Sequence, residues 1–325
     1  MSYWSDKRVL VTGASGFIGY WLTKRLIEEN ATVIALVRDH DHQSELYRSG
    51  LIESVSIVSG ELEAPNVVER AICDYEIDTL FHLAGQTIVG SALRAPLQTF
   101  EANIRGTYHL LEGCRRQAHY IKCIVIASSD KVYGPSNLPY TETMPLMGNY
   151  PYDVSKSCCD LIAQSYFQTY NLPITIARCC NIYGGGDHNR SRLIPGTIRN
   201  LLHDEQPLIR SDGSFIREYL YVKDVIDAYF LLAEKTQTER VKGEAFNFGS
   251  SRPYSVLEVV NLLRKIMKKE HLETKILNSV QTEIRYQHLN SNKAKEMLGW
   301  EPSYSLEKGL KETIELSLTP DYAIR

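Results

Sequence analysis

The feature that most constrains the fold is a glycine-rich turn placed directly after a short apolar run. Val9-Leu10-Val11-Thr12 is followed by Gly13-Ala14-Ser15-Gly16-Phe17-Ile18-Gly19, and apolar residues then recur at helical spacing as far as Leu26. Gly13 permits a tight turn, Gly16 lets the backbone approach a pyrophosphate, and Gly19 allows close helix packing. The start of the helix adds N–H groups that suit phosphate. This order of strand, turn and helix predicts a dinucleotide-binding site.

Short runs rich in Val and Ile alternate with longer helical patterns through the first half of the chain. This alternation is typical of a parallel sheet covered by helices on both faces. The predicted strands are 8–12, 31–37, 55–58, 79–83, 121–128 and 173–178, and the longest predicted helices are 91–117 and 150–171. We therefore predict an α/β fold, a Rossmann-type doubly wound parallel sheet.

The alternation weakens from about residue 179, which suggests a second lobe. Gly184-Gly185-Gly186 predicts a loop, and the later helical patterns near 192–203, 255–268 and 305–316 are less regularly spaced. We predict a dinucleotide-binding domain over 1–178 and a smaller mixed α/β substrate lobe over 179–325. The segment 216–248 is apolar and periodic enough that we expect it to return to the first domain.

Composition argues against several kinds of partner. The 325 residues carry a net charge of −3, which gives no basic field for nucleic acid, and no run approaches the ~18 apolar residues of a membrane span. The seven cysteines are odd in number and lack Cys-x-x-Cys spacing, so neither a disulfide framework nor a metal site is expected. The first residues, 1–8, lack a secretory signal pattern, and we expect a cytoplasmic protein.

Two neighbouring residues bear on cofactor choice. Arg38 and Asp39 end the second predicted strand, about 20 residues after the last glycine of the turn. A carboxylate there binds the adenosine ribose hydroxyls of NAD, whereas an arginine suits the extra phosphate of NADP. We expect NAD because a carboxylate repels that phosphate. NADP stays open because of Arg38.

A second cluster of chemically useful residues follows the fifth predicted strand. Ser129 lies where strands of an open parallel sheet face the ligand crevice, and Tyr152 and Lys156 are four residues apart on one face of the next helix. The spacing predicts that the Lys156 ammonium lowers the pKa of the Tyr152 phenol towards neutrality. Tyr152 would then remove a proton from a hydroxyl held by Ser129 as hydride passes to a nicotinamide.

With these residues in view, the chain resembles the extended short-chain dehydrogenase/reductase family that remodels nucleotide-linked sugars. The likeness spans nearly the whole length and includes His82-Leu83-Ala84 and Arg178-x-x-Asn181-x-Tyr183-Gly184. The resemblance implies cofactor contacts from Gly13, Ser15, Gly16, Phe17, Ile18, Arg38, Asp39, Glu61, Leu62, Leu83, Ala84, Gly85, Asn103, Tyr152 and Lys156. Glu61 stands where the family usually has aspartate. The implied partner is a nucleotide-diphosphate sugar, bound by Gln86, Asn181, Arg192, Leu193, Arg217 and Arg285.

Within the family, the two residues after the serine separate the reactions. Here they are Asp130 and Lys131, a pattern that resembles the CDP-glucose 4,6-dehydratase branch. The resemblance implies that Asp130 protonates the departing carbon-6 hydroxyl and that Lys131 takes the carbon-5 proton after oxidation at carbon 4. Both protonation states are unusual, because aspartate ordinarily titrates near 3.9 and lysine near 10.4. The product would be a 4-keto-6-deoxy sugar.

Two other readings of the sequence stay open. A nucleotide-sugar 4-epimerase would share every residue except the need for Asp130 and Lys131. A catalytically silent dinucleotide-binding sensor would need the glycine turn but not an activated phenol. Helices 91–117 and 150–171 carry apolar faces, and in the resembling family such a pair forms a dimer contact. A homodimer is therefore expected.

Overall fold

A seven-stranded parallel sheet forms the centre of the protein. The structure, a computed structural model, describes residues 2–238, 240–279, 284–319 and 322. The sheet has the strand order β11-β6-β5-β4-β1-β2-β3. The chain adds β2 and β3 on one side of β1 and the later strands on the other side, beginning with β4. Its strands are β1 (Arg8–Thr12), β2 (Thr32–Val37), β3 (Ser56–Ser59), β4 (Thr79–His82), β5 (Cys123–Ala127), β6 (Ile174–Cys179) and β11 (Ala245–Phe248).

Helices pack on both faces of this sheet and around the smaller sheets of the second half of the chain. They are α1 (Phe17–Glu28), α2 (Glu45–Arg48), α3 (Val67–Tyr75), α4 (Val89–Arg94), α5 (Pro96–Phe100), α6 (Gly106–Arg116), α7 (Pro151–Tyr170), α8 (Leu193–Leu202), α9 (Val222–Lys235), α10 (Val256–Ile266), α11 (Asn292–Leu298) and α12 (Leu306–Ser317). A π-helical turn (Glu101–Arg105) and two 3₁₀ turns (Leu51–Ser54 and Asp130–Tyr133) complete the helical segments.

The strands of the sheet are buried on both faces, which explains their near-continuous apolar sequence. Val9 and Val11 point into one apolar cluster and Leu10, between them, into the other, and all three are fully buried. Leu10 pairs with Ile34 on β2 and with Leu80 on β4. The predicted α/β doubly wound fold is confirmed.

The predicted helix 91–117 is wrong as a single element. Pro96 cannot donate a backbone N–H and disfavours helical geometry in the residue before it, so Ala95 takes φ −134° and ψ 65° and separates α4 from α5. The π-helical turn then links α5 to α6. The predicted helix 150–171 corresponds to α7. Asn171, directly after the last helical residue, takes the left-handed conformation with φ 55° and ends the helix.

The second half of the chain contributes to two regions. Helix α9 packs against α1, β5 and β6, and β11 pairs in parallel with β6 through Asn247 and Arg178. The remaining strands form three small two-stranded sheets: β7 (Asn181–Tyr183) with β10 (Tyr219–Tyr221), β9 (Ile216–Arg217) with β12 (Tyr254–Ser255), and β8 (Leu208–Ile209) with β13 (Lys275–Ile276). The division into 1–178 and 179–325 stays a prediction. Among the described residues, no helix combines the length and apolar character that crossing a bilayer demands.

Candidate active site

A single long cleft runs along the carboxyl ends of the sheet strands and continues into the second half of the chain. Its volume is about 1620 Å³, which exceeds the ~300–1,000 Å³ of a typical small-ligand pocket. The glycine turn after β1 lines one end, and the segment around α8 and β8 lines the other. The cleft therefore has room for two ligands end to end.

The glycine turn has the geometry that a dinucleotide pyrophosphate requires. Gly13 has φ +74°, and a Cβ there would lie 2.8 Å from the backbone nitrogen of Ala84. A Cβ on Gly19 would lie 2.0 Å from the Gly13 oxygen, so only glycine lets α1 start this close to the turn. Ser15, Gly16, Phe17 and Ile18 line the cleft at the beginning of α1. This part of the chain fits a dinucleotide.

The residues expected near the adenosine differ in their placement. Arg38 and Asp39 both line the cleft and form an exposed ion pair, with 2.7 Å between Arg38 Nε and Asp39 Oδ2. Leu62 is buried and lines the cleft, as does Glu63. Glu61 is exposed and is not among the lining residues, so its predicted contact with adenine has no geometric support here.

The loop after β4 is held by buried polar side chains. Leu83, Ala84, Gly85 and Gln86 line the cleft. Asn103 does not line it but fixes this loop, since its Oδ1 accepts from the Gln86 N–H at 2.7 Å and its Nδ2 donates to the Gln86 carbonyl at 3.0 Å. Asn103 therefore acts through the loop.

The buried imidazole of His82 supports the same loop from the end of β4. The ring lies between the hydroxyls of Thr12 and Thr107, at 2.9 and 3.0 Å. Burial, with a smaller contribution from the Lys156 charge, lowers its pKa to about 3. His82 is thus a neutral structural group.

Tyr152 and Lys156 both reach the cleft from the first two turns of α7. Lys156 Nζ donates to the carbonyl of Ala127, at the end of β5, at 2.7 Å. Burial lowers the pKa of Lys156. Burial also raises the pKa of the Tyr152 phenol, against a smaller opposing effect of its hydrogen bond with Ser129. The predicted lowering of the Tyr152 pKa towards neutrality is wrong for this arrangement, because desolvation of the phenolate outweighs the opposing effects of the Ser129 hydrogen bond and the Arg192 charge.

The segment Ser129-Asp130-Lys131 begins the 3₁₀ turn after β5. Ser129 Oγ donates to Asp130 Oδ1 at 3.1 Å and accepts from the Lys131 N–H at 3.2 Å. Asp130 is only 3 % exposed, and burial raises its pKa despite the opposing charges of Lys131 and Arg217. Lys131 lines the cleft, whereas Ser129 and Asp130 are buried beside it in sequence and are not among the residues that line the cleft. The turn thus places a buried carboxyl with a raised pKa beside an amine at the cleft.

The residues predicted to bind the sugar nucleotide mostly reach the far half of the cleft. Asn181, Arg192, Leu193 and Arg217 line it together with Gln86. Arg192 NH1 bonds to Asp187 Oδ2 at 2.9 Å, which orients the guanidinium. Arg285 does not line the cleft; its exposed guanidinium lies 5.9 Å from the ring centre of Phe215, which the Arg217 guanidinium approaches at 5.5 Å.

Sequence reasoning missed several polar residues in this half. Arg190, Arg199, Arg210 and Ser211 also line the cleft. Their only signal is the density of arginine around 190–217, which by itself is equally compatible with surface ion pairs. No cluster of three metal-ligating side chains occurs in the ranges that the structure describes.

Comparison with known proteins agrees with this geometry. The family model described as GDP-mannose 4,6 dehydratase matches residues 10–313. A curated CDP-glucose 4,6-dehydratase from Salmonella typhimurium is 29% identical over 97% of this chain and 91% of its own length.

Two solved structures have the same fold over nearly the whole chain. UDP-glucose 4-epimerase from Thermotoga maritima, with UDP-glucose, has a TM-score of 0.86 at 29% identity and covers 95% of this chain and 98% of its own. dTDP-glucose 4,6-dehydratase from Bacillus anthracis, in complex with NAD, has a TM-score of 0.84 at 27% identity and covers 96% of each chain. The chain therefore belongs to the GDP-mannose 4,6-dehydratase family, the extended short-chain dehydrogenases that comprise NAD-dependent nucleotide-sugar 4,6-dehydratases and 4-epimerases.

Proposed function

We propose that this enzyme is a nucleotide-sugar 4,6-dehydratase of the CDP-glucose type, which forms a 4-keto-6-deoxyhexose. The observation that carries the proposal is the buried Asp130 carboxyl, whose pKa burial raises, directly beside Lys131 at the cleft. Dehydration needs a neutral acid to protonate a leaving hydroxyl, and epimerisation does not. The similarity to the Salmonella CDP-glucose 4,6-dehydratase supports the same choice.

Each side chain has one task in this reaction. Tyr152, ionised to the phenolate, accepts the proton of the carbon-4 hydroxyl and becomes the phenol. Lys156, bonded to the Ala127 carbonyl, stabilises the phenolate before the transfer. The carbon-4 hydride would pass to NAD held by the glycine turn and would return to carbon 6 after water has left, so the reaction is redox-neutral overall. Lys131 takes the carbon-5 proton, which the carbon-4 ketone has made acidic. Asp130 gives its proton to the carbon-6 hydroxyl, which leaves as water.

The proposed cofactor is NAD rather than NADP. The Asp39 carboxylate lines the cleft at the end of β2 and is positioned for ribose hydroxyls. The Arg38 guanidinium is engaged with Asp39, which leaves it less available to a ribose phosphate. A direct comparison of NAD and NADP affinities by calorimetry tests this; tighter binding of NADP would contradict it.

The decisive experiment is a product assay on the purified protein. CDP-, GDP-, dTDP- and UDP-hexoses are incubated in D₂O, and the products are analysed by mass spectrometry. Dehydration should give a loss of 18 Da, offset by one solvent deuterium at carbon 5. Asp130→Asn should abolish water loss but keep partial oxidation at carbon 4, and unchanged dehydration by this variant would exclude the role of Asp130.

The second candidate is a 4-epimerase, and one observation favours it. The structural likeness to UDP-glucose 4-epimerase is as close as that to the dehydratase. In the same assay, an epimerase would invert carbon 4 without a change in mass and without deuterium at carbon 5. Binding of NAD with no affinity for any sugar nucleotide would instead indicate a catalytically silent sensor.

The proposed assembly is a homodimer through one helical surface. Helix α7 packs beside α4, α5 and α6, and it leaves Leu161 53 % exposed. On the neighbouring helices, Leu97 is 67 % and Tyr108 39 % exposed. Exposed apolar side chains on adjoining helices are a common feature of dimer contacts.

A further inference from the structure

Gln287, outside every motif used so far, makes a hydrogen bond to Lys131. Lys131 Nζ donates to Gln287 Oε1 at 3.2 Å, across 156 residues of sequence. An ammonium or amine N–H donates here, so the amide oxygen must be the accepting atom. Gln287 is only 1 % exposed, and its backbone N–H is fixed by the Ile216 carbonyl on β9 at 3.1 Å. The backbone at Gln287 is thus fixed where its buried amide oxygen meets the Lys131 side chain.

The other end of the amide is also buried. Within the described ranges, Gln287 Nε2 has no hydrogen-bond partner although no solvent reaches it. A buried amide N–H without a partner costs stability, so its presence needs an explanation. Glutamine at this position supplies an acceptor to Lys131 without adding a charge, and that combination is useful for a lysine that must lose a proton.

The neutrality of the Gln287 amide matters because charged groups surround Lys131. Asp130 on the same 3₁₀ turn and Asp153 in the first turn of α7 both interact with its charge. Burial disfavours the ionised form of both carboxyls and raises the pKa of Asp153 to about 6. Arg217, on β9, adds a positive charge near Asp130. A further carboxylate in hydrogen-bond contact would hold Lys131 in its charged form.

We propose that Gln287 is a positioning residue for Lys131, which orients the amine at the cleft and, by being neutral, lets it act as the base. This inference rests on the proposed dehydratase function and adds to it a residue from the far end of the chain. The proton that Lys131 accepts comes from carbon 5, and Gln287 itself exchanges none.

The test replaces the neutral amide by an isosteric charge. Acetylation of Lys131 by acetic anhydride is followed by mass spectrometry of the NAD-loaded enzyme as a function of pH. In Gln287→Glu, the pH midpoint of this reaction should lie about 1–3 pH units higher than in wild type. The kcat for water loss at pH 8 should fall at least about tenfold, since each unit lowers the neutral fraction of the amine tenfold. Reduction of NAD by substrate should persist.

The matched control is Asn290→Asp, the same change three residues away. Asn290 Oδ1 accepts from the Asn292 N–H at 2.9 Å, a role that aspartate can keep. In Asn290→Asp, the pH midpoint of Lys131 acetylation should match that of wild type. An equal shift in both variants, or no shift in Gln287→Glu, would overturn the proposal.

A second variant covers the case in which Gln287→Glu does not fold. Gln287→Leu removes the acceptor without adding a charge, and should lower kcat about tenfold through lost orientation, with KM unchanged. An unchanged kcat would overturn the positioning role. The wild-type product assay separates the two ideas: no water loss by wild type would defeat the proposed function, whereas water loss without these effects would defeat only this inference.

Discussion

At the scale of single residues, burial is the largest cause of the pKa shifts in and beside the cleft. The pKa values of Asp130 and Asp153 are raised by burial, and that of Lys156 is lowered by it. Each shift favours the uncharged form, because a low-dielectric environment disfavours charge. The segment around Lys131 is thereby suited to moving protons near neutral pH.

Tyr152→Phe should lower the rate of carbon-4 oxidation by about 10²–10⁴-fold, because it removes the group that accepts the hydroxyl proton. Stopped-flow absorbance of NADH formation measures the effect, and calorimetry should show unchanged NAD binding. Tyr166→Phe is the control, since Tyr166 lies towards the other end of α7 and its hydroxyl donates to Glu112 at 3.3 Å. A similar loss in both variants would argue against proton transfer by Tyr152.

At the scale of elements, a buried ion pair fixes α7 against the sheet. Arg178 on β6 bonds to both carboxylate oxygens of Asp160 on α7, at 2.8 and 2.9 Å, and the two side chains are 3 % and 0 % exposed. Ser128 Oγ, just after β5, donates to Asp160 as well. This contact sets the position from which α7 presents Tyr152 and Lys156.

Asp160→Asn should lower the free energy of unfolding by about 3–5 kcal/mol, because it leaves a buried guanidinium without a countercharge. Urea denaturation followed by circular dichroism measures the change. Glu307→Gln, which breaks an exposed pair with Lys311 on α12, should cost less than about 1 kcal/mol. Equal effects of the two variants would contradict a special role for the buried pair.

At the scale of the whole molecule, the proposed dimer predicts a change of assembly. Leu161→Glu places a charge at the centre of the exposed apolar surface on α7 and should give a folded monomer. Light scattering at micromolar concentration measures the mass. Leu138→Glu, at a loop residue that is 66 % exposed, should leave the mass unchanged. A wild-type monomer would exclude the stable dimer.

The contribution of Glu218 to stability should fall as pH rises towards neutrality. Glu218 is fully buried and accepts from the Leu289 N–H at 2.6 Å, and burial raises its pKa from 4.5 to about 7. At this site the folded state therefore binds more protons than the unfolded state over this window, so the Glu218 contribution to the free energy of unfolding decreases from about pH 4.5 to pH 7. The loss from this group is about 3 kcal/mol.

Thermal unfolding of wild type and Glu218→Gln across pH 4–8 checks this sign. Because the amide does not titrate, the variant should lose less stability than wild type between pH 4.5 and 7. The two curves should separate most above pH 7, with the variant more stable. Parallel curves would show that Glu218 is not the group responsible.

The sequence by itself determined the sheet, the glycine turn and the order of the catalytic segment, because these depend on local patterns: apolar runs, glycine where a Cβ would collide, and a spacing of four on α7. It could not reveal the break at Pro96 within a periodic stretch, the exposed position of Arg285, or the contact between Gln287 and Lys131. Those depend on which distant segments pack together. The pKa shifts of Tyr152 and Asp130 also depend on tertiary structure, because these side chains lose contact with water only once the chain has folded around them.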